Sequence, residues 1–81
     1  MRTVVNTYTA LGRRAVDELL GLYVSWREEC GAVERCYEDW VAAGRGDDAL
    51  AYAAYLAALD REEHAARIYA DHVDLVRRIS Q

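Results

Sequence analysis

The stretch Ala42-Ala43-Gly44-Arg45-Gly46-Asp47-Asp48 decides the fold of this chain. Helical periodicity reaches it from both sides, and no other segment interrupts that pattern so clearly. Gly44 suits the left-handed residue that often follows a helix end, because it has no Cβ to oppose that conformation. Asp47 suits the N-cap of the next helix, and Asp48 suits its positive end. The stretch therefore predicts the turn of a helical hairpin.

The first predicted helix spans about residues 10–43 and follows a short lead-in, residues 1–9, where Thr and Val mildly disfavour a helix. Apolar residues three, four or seven apart form a seam made of Ala15, Leu19, Leu22, Trp26, Val33, Cys36 and Trp40. A second apolar line, one position further round, contains Val16, Leu20, Tyr23, Cys30, Tyr37 and Val41. Gly31 is the candidate break, and a break there would give three helices.

The second predicted helix spans about residues 48–79, after a turn at 44–47. Its heptad seam contains Tyr52, Tyr55, Leu59, Ala66, Tyr69, Val73 and Val76, and nearby alanines, Ala58 among them, allow close helix approach. Residues 1–81 thus read as one all-α domain, an antiparallel hairpin of two long helices. Folding about Arg45 and Gly46 brings residue i near residue (91 or 92) − i.

A lone hairpin would leave much of the second apolar line in water, and exposed patches of that kind usually mark interaction surfaces. We therefore expect a homodimer that forms a four-helix bundle. The residues expected at its interface are Leu20, Tyr23, Trp26, Tyr37, Trp40, Tyr55 and Tyr69. A monomeric hairpin is the alternative.

Composition excludes several classes of protein. The net charge is −4, which argues against a nucleic-acid binder, and no apolar run is long enough to span a membrane. The N-terminus lacks the apolar core of a signal peptide, so a cytoplasmic location is expected. All ten basic residues are Arg, and Ala, Val, Gly and Asp are abundant, as in proteins of GC-rich bacteria or their phages. Ser25 and Ser80 lack the His and Asp partners of a nucleophile, so no catalytic residue is predicted and the protein is expected not to be an enzyme.

Two carboxylates fall on the predicted seams. Glu29 lies between Trp26 and Val33, and the hairpin register places it beside Glu62. Two facing carboxylates in such a position need neutralising partners. The favoured interpretation is a structural polar layer, in which Tyr hydroxyls donate to the carboxylates or Arg residues pair with them.

The alternative interpretation is a metal site. With Glu29 on one helix and Glu62 on the next, the layout resembles half-ferritin hairpins, which dimerise into four-helix bundles. That family carries Glu-x-x-His on the second helix, which implies a metal-binding carboxylate bundle. Here the residue three after Glu62 is Ala65, and His64 points elsewhere. No metal ligands or cofactors are therefore assigned, and His64 and His72 are expected at the surface.

The chain also contains two cysteines and a group of four arginines whose spacing is informative. Cys30 and Cys36 are too far apart along a helix to bond to each other, so they are interpreted as small buried hydrophobes, with an intermolecular disulfide as the alternative. The register also gathers arginines at the open end of the hairpin: Arg13, Arg14, Arg77 and Arg78. The leading hypothesis is a non-enzymatic adaptor or regulator that acts through self-association and protein–protein contact.

Overall fold

The computed structural model describes the backbone of residues 2–80 and the side chains of residues 10–80. It contains two helices, α1 at Arg2–Ala42 and α2 at Asp48–Ser80, which pack against each other as an antiparallel hairpin. The predicted all-α hairpin is confirmed. Its principal extents are 69 × 14 × 12 Å, so the molecule is a rod. Neither helix of the described chain has the length and apolar character needed to cross a bilayer.

Helix α1 begins earlier than predicted, at Arg2 rather than near residue 10. The β-branched residues of the predicted lead-in each cost a few tenths of a kcal/mol in a helix. Extending an existing helix adds one hydrogen bond per residue without a new nucleation cost, and that gain outweighs the weak propensities. Of the predicted lead-in, the structure describes the backbone of residues 2–9, and Met1 lies outside the described residues.

Helix α1 also continues through Gly31, so the alternative of a break there, which would have given three helices, is wrong. A glycine costs a helix interior only about 1 kcal/mol relative to Ala, which a long packed helix tolerates. The guanidinium of Arg35, one turn later, covers the glycine: its Nη1 lies 3.2 Å from the place a Cβ would occupy.

The turn between the helices spans residues 43–47 and is held by backbone hydrogen bonds. Ala43 N–H donates to the Trp40 carbonyl over 3.2 Å, and Asp47 N–H donates to the Gly44 carbonyl over 3.0 Å. Ala51 N–H then donates to the Asp47 carbonyl over 3.0 Å, which places Asp47 at the predicted N-cap position of α2.

Gly44 differs from the prediction, because no glycine of the chain has a positive φ. The bond from Ala43 to Trp40 spans three residues, so α1 closes by tightening its last turn. A helix that ends in this way needs no residue in the left-handed conformation after it. The charges at the ends of α2 are as predicted: Asp48 lies in the first turn, and Arg77 and Arg78 lie in the last.

The contact between the helices is narrow. Among residues 10–80 only Ala15 and Ala58 are buried, with 6% and 0% of their surfaces exposed. Their small side chains let the two backbones approach closely. The predicted α1 seam is buried or half-buried throughout, whereas Tyr52 and Leu59 of the α2 seam remain exposed at its edge.

Candidate functional site

The first feature of the candidate site is an aromatic cluster in the middle of the hairpin. The ring of Trp26 stacks on the ring of Tyr69 with centroids 5.6 Å apart and an interplanar angle of 15°. Tyr23 packs against both, with centroid distances of 6.0 Å to Trp26 and 5.7 Å to Tyr69. Arg27 places its guanidinium carbon 5.8 Å from the centroid of the Trp26 ring, within range of a cation–π contact.

A second aromatic cluster lies nearer the turn and repeats this arrangement. Trp40 stacks on Tyr55 with centroids 5.6 Å apart and an interplanar angle of 16°. Tyr37 packs against both rings, at 6.1 Å from Trp40 and 5.6 Å from Tyr55. Tyr52 adds a fourth ring, 4.8 Å from Trp40. The pairing of Tyr37 with Tyr55, like that of Tyr23 with Tyr69, agrees with the predicted register.

The two clusters lie on one side of the hairpin, which we call the aromatic face. Helical residues seven apart point in the same direction, so Tyr23 and Tyr37 share this side of α1 with Val16 and Cys30. The large apolar residues that this face exposes are Val16, Leu20, Tyr23, Tyr37 and Val41 of α1, and Tyr52, Leu56 and Leu59 of α2. An apolar surface thus runs along much of the rod.

The residues predicted for the interface divide into two groups. Leu20, Tyr23 and Tyr37 are exposed on the aromatic face. The other four residues are half-buried between the helices: Trp26, Trp40, Tyr55 and Tyr69. Their rings pack against the exposed rings of Tyr23 and Tyr37. Sequence periodicity found both groups, but it did not separate the rings that join the helices from those that face solvent.

The opposite side of the hairpin, which we call the grooved face, mixes apolar and charged side chains. It carries three shallow depressions along its length. Leu11 and Leu75 line the one at the open end, Leu22 and Ile68 line the middle one, and Leu50 lines the one near the turn. Charged or ionisable side chains also line them: Arg14, Glu18, Arg78, Glu29, Arg61, His64, Asp39 and Asp47. The grooved face therefore combines exposed apolar residues with charged ones, and it lacks the aromatic clusters of the other side.

Glu29 and Glu62, which the sequence placed in one polar layer, are both half-buried between the helices. Glu29 accepts from Arg61 Nε over 3.4 Å, and Glu62 accepts from the indole Nε1 of Trp26 over 3.4 Å. An arginine was an expected partner of these carboxylates, whereas the indole was not. Each carboxylate thus has its own donor, on a different part of the seam.

The described residues contain no group of three or more His, Cys, Asp or Glu side chains placed to hold a metal ion. Cys30 and Cys36 are free thiols of intermediate exposure. The predicted resemblance to half-ferritin hairpins is thus limited to the layout of the helices and the two glutamates.

His72 was predicted at the surface, and that prediction is wrong. Its ring Nε2 lies 2.9 Å from the Ala15 carbonyl oxygen and 3.6 Å from a Glu18 carboxylate oxygen, and its side chain is only 14% exposed. A signal for this position was present, because Ala58, Ala65 and His72 follow one another at seven-residue intervals. His64, by contrast, is exposed as predicted.

The chain was compared with protein-family models, with curated proteins and with solved structures, and none of the three comparisons gave a match. Function is therefore inferred from the geometry of the two faces of the hairpin.

Proposed function

We propose that this protein is a small, non-enzymatic adaptor or regulator that acts through self-association. Two hairpins pack aromatic face against aromatic face and form a four-helix bundle. The observation that carries this proposal is the row of exposed large apolar side chains, with two aromatic clusters, on one side of the hairpin. Contiguous apolar surfaces of this kind usually mark interaction sites.

The exposed area of the chain supports an additional partner. The chain exposes 6495 Å², whereas a compact monomer of 9.2 kDa exposes about 4,900 Å². Its radius of gyration is 18.8 Å, compared with about 12 Å for a compact domain of this length. The excess area, roughly 1,600 Å², exceeds the roughly 800 Å² that each partner contributes to a standard interface.

The charges favour a second copy as that partner. Arg27 and Glu34 both lie along the aromatic face, so a self-complementary pairing can match opposite charges. The remainder of the chain is acidic overall, since the net charge is −4, and contact through other surfaces would meet more repulsion. A different protein would have to supply its own apolar strip of matching length.

The cytoplasmic location and the bacterial or phage origin belong to the same proposal. They remain predictions from amino-acid composition. A regulator of this kind would act by presenting the outer surfaces of the assembled bundle, including the grooved face, to other proteins.

The proposal is tested by mass measurement in solution with Leu56→Glu. Leu56 lies on the aromatic face and is 43% exposed. Burying the exposed part of one leucine contributes about 1 kcal/mol to the free energy of dimerisation, and a two-fold interface contains two such leucines. A carboxylate buried in its place adds a desolvation cost. We expect the native chain to sediment at twice its 9.2 kDa mass and Leu56→Glu to weaken the dimer at least about tenfold.

Leu75→Glu is the matched control, because Leu75 lies on the same helix, is also 43% exposed and lines the grooved face. It also places the new carboxylate four residues from an aspartate, Asp71, just as Leu56→Glu places one four residues from Asp60. We expect Leu75→Glu to leave the dimer intact. A native chain that stays at 9.2 kDa at millimolar concentration, or equal weakening by both variants, contradicts the proposal.

A further inference from the structure

The aromatic face contains an internal repeat. Tyr23 and Trp26 recur 14 residues later as Tyr37 and Trp40, and their α2 partners, Tyr69 and Tyr55, are also 14 residues apart. The two stacked Trp–Tyr pairs have the same centroid separation, 5.6 Å, and interplanar angles of 15° and 16°. Fourteen residues are two heptads, so two equal clusters lie about 21 Å apart along the rod.

Cys30 lies midway between these clusters on the same line of α1 as Tyr23 and Tyr37. In a two-fold dimer, residue i contacts residue j of the partner and residue j contacts residue i. An antiparallel pair of hairpins with its axis level with Cys30 therefore sets each cluster on the partner's other cluster. The same axis brings Arg27 within one residue, about 1.5 Å along the helix, of the level of Glu34 of the second copy, and it does so twice.

A parallel pair of hairpins would instead set each end of the rod beside the same end of its partner. The turn half of the chain, residues 34–60, carries six acidic residues and two arginines. The described open end, residues 10–20 and 71–80, carries four acidic residues and four arginines. A parallel dimer would bring together two turn halves that each carry a net charge of −4, whereas an antiparallel dimer sets each turn half beside an open end whose four arginines and four acidic residues sum to zero.

We propose that two copies associate in the antiparallel sense, with the two-fold axis crossing α1 at Cys30, so that the two Cys30 thiols lie opposite each other. This inference rests on the self-association proposed above and adds the orientation and register of the two copies. The repeat of the aromatic clusters sets the level of the axis, and the distribution of charge along the rod sets the orientation.

The first test is disulfide formation in Cys36→Ser, which leaves Cys30 as the only thiol. Diamide serves as the oxidant: two thiols each lose one proton and one electron, a sulfur–sulfur bond forms, and the N=N bond of diamide becomes an N–N bond carrying two hydrogens. We expect most of the Cys36→Ser protein to become covalent dimer within minutes. Cys30→Ser is the control, because Cys36 lines the grooved face and should react at least about tenfold more slowly.

The second test measures the distance between spin labels on Gly46→Cys in a chain that also carries Cys30→Ser and Cys36→Ser. A Cβ at Gly46 meets no atom within 4 Å, so the turn accepts the label. The turn lies about 22 Å along the rod from the proposed axis, so an antiparallel dimer separates the two labels by about 45 Å. A parallel dimer holds them within roughly 20 Å.

The outcomes separate the two proposals. A long label distance together with rapid Cys30 crosslinking supports the antiparallel arrangement. A dimer with a short label distance overturns the orientation, and a dimer with a long distance but no Cys30 crosslink overturns the position of the axis. A chain that sediments as a monomer contradicts self-association itself.

Discussion

Replacing Glu29 with leucine should stabilise the hairpin. The Glu29 side chain is 32% exposed, so about two-thirds of a leucine there would be covered, which contributes about 1–2 kcal/mol. The substitution removes the contact with Arg61, which is 3.4 Å long and joins a guanidinium that is 54% exposed. Such a pair contributes at most about 1 kcal/mol. The net expectation for Glu29→Leu is a gain of about 0.5–1.5 kcal/mol.

Glu62→Leu should not give the same gain, although Glu62 is also half-buried. Its carboxylate accepts the indole N–H of Trp26, and a part-buried donor that loses its acceptor costs about 1–3 kcal/mol. That loss offsets the added apolar burial, so the expected change is near zero or negative. The two glutamates, which the sequence places in one layer, should therefore respond differently to the same substitution.

Urea unfolding followed by far-UV circular dichroism measures the difference. All variants carry Leu56→Glu and are measured at a concentration at which the Leu56→Glu chain sediments as a monomer, so that self-association does not contribute to the free energy of unfolding. Glu28→Leu is the control: Glu28 is the exposed neighbour of Glu29, and its replacement should change stability by less than about 0.5 kcal/mol. A destabilising Glu29→Leu, or a Glu62→Leu that stabilises the chain more than Glu29→Leu does, would contradict the expected difference between the two glutamates.

Two further substitutions test the fold. Gly44→Ala should be neutral or should stabilise the chain by up to about 1 kcal/mol, because Gly44 has no positive φ and a Cβ at this position meets no atom within 4 Å. The thermal midpoint measures this change. A midpoint lowered by more than about 5 °C would instead indicate the left-handed residue that the sequence predicted. Ala58→Leu should lower the free energy of unfolding in urea by about 1–3 kcal/mol, because Ala58 is fully buried where the helices approach. The same change at the exposed Ala53 should have little effect. Equal results at the two positions would contradict the described helix packing.

Much of the fold follows from the sequence, because hydrophobic periodicity alone determines which sides of two long helices can meet. The turn at Asp47, the α1 seam from Ala15 to Trp40 and the pairing of Tyr37 with Tyr55 all follow from that pattern and the register. The start of α1 did not follow, because helix propensities near the N-terminus are weak and the length of the existing helix decides the outcome.

The details of the candidate site were harder to predict, since they depend on side-chain directions within a narrow contact. The register placed Glu29 and Glu62 at one level, but a shift of one residue turns a helical side chain by about 100°, which is enough to give each carboxylate a different donor. The position of His72 depends on space left beside Ala15, and composition gives no information about that space.

The short turn also determines the order in which the hairpin can close. Contacts next to the turn join residues close in sequence, such as Trp40 and Tyr52, whereas His72 and Ala15 at the open end are 57 residues apart. The entropy cost of closing a loop rises with its length, so pairing propagates most readily from the turn outwards, one heptad layer after another. Unfolding of a single hairpin then begins by fraying at its arginine-rich end. In an antiparallel pair, that fraying end lies beside the partner's turn, where closure begins.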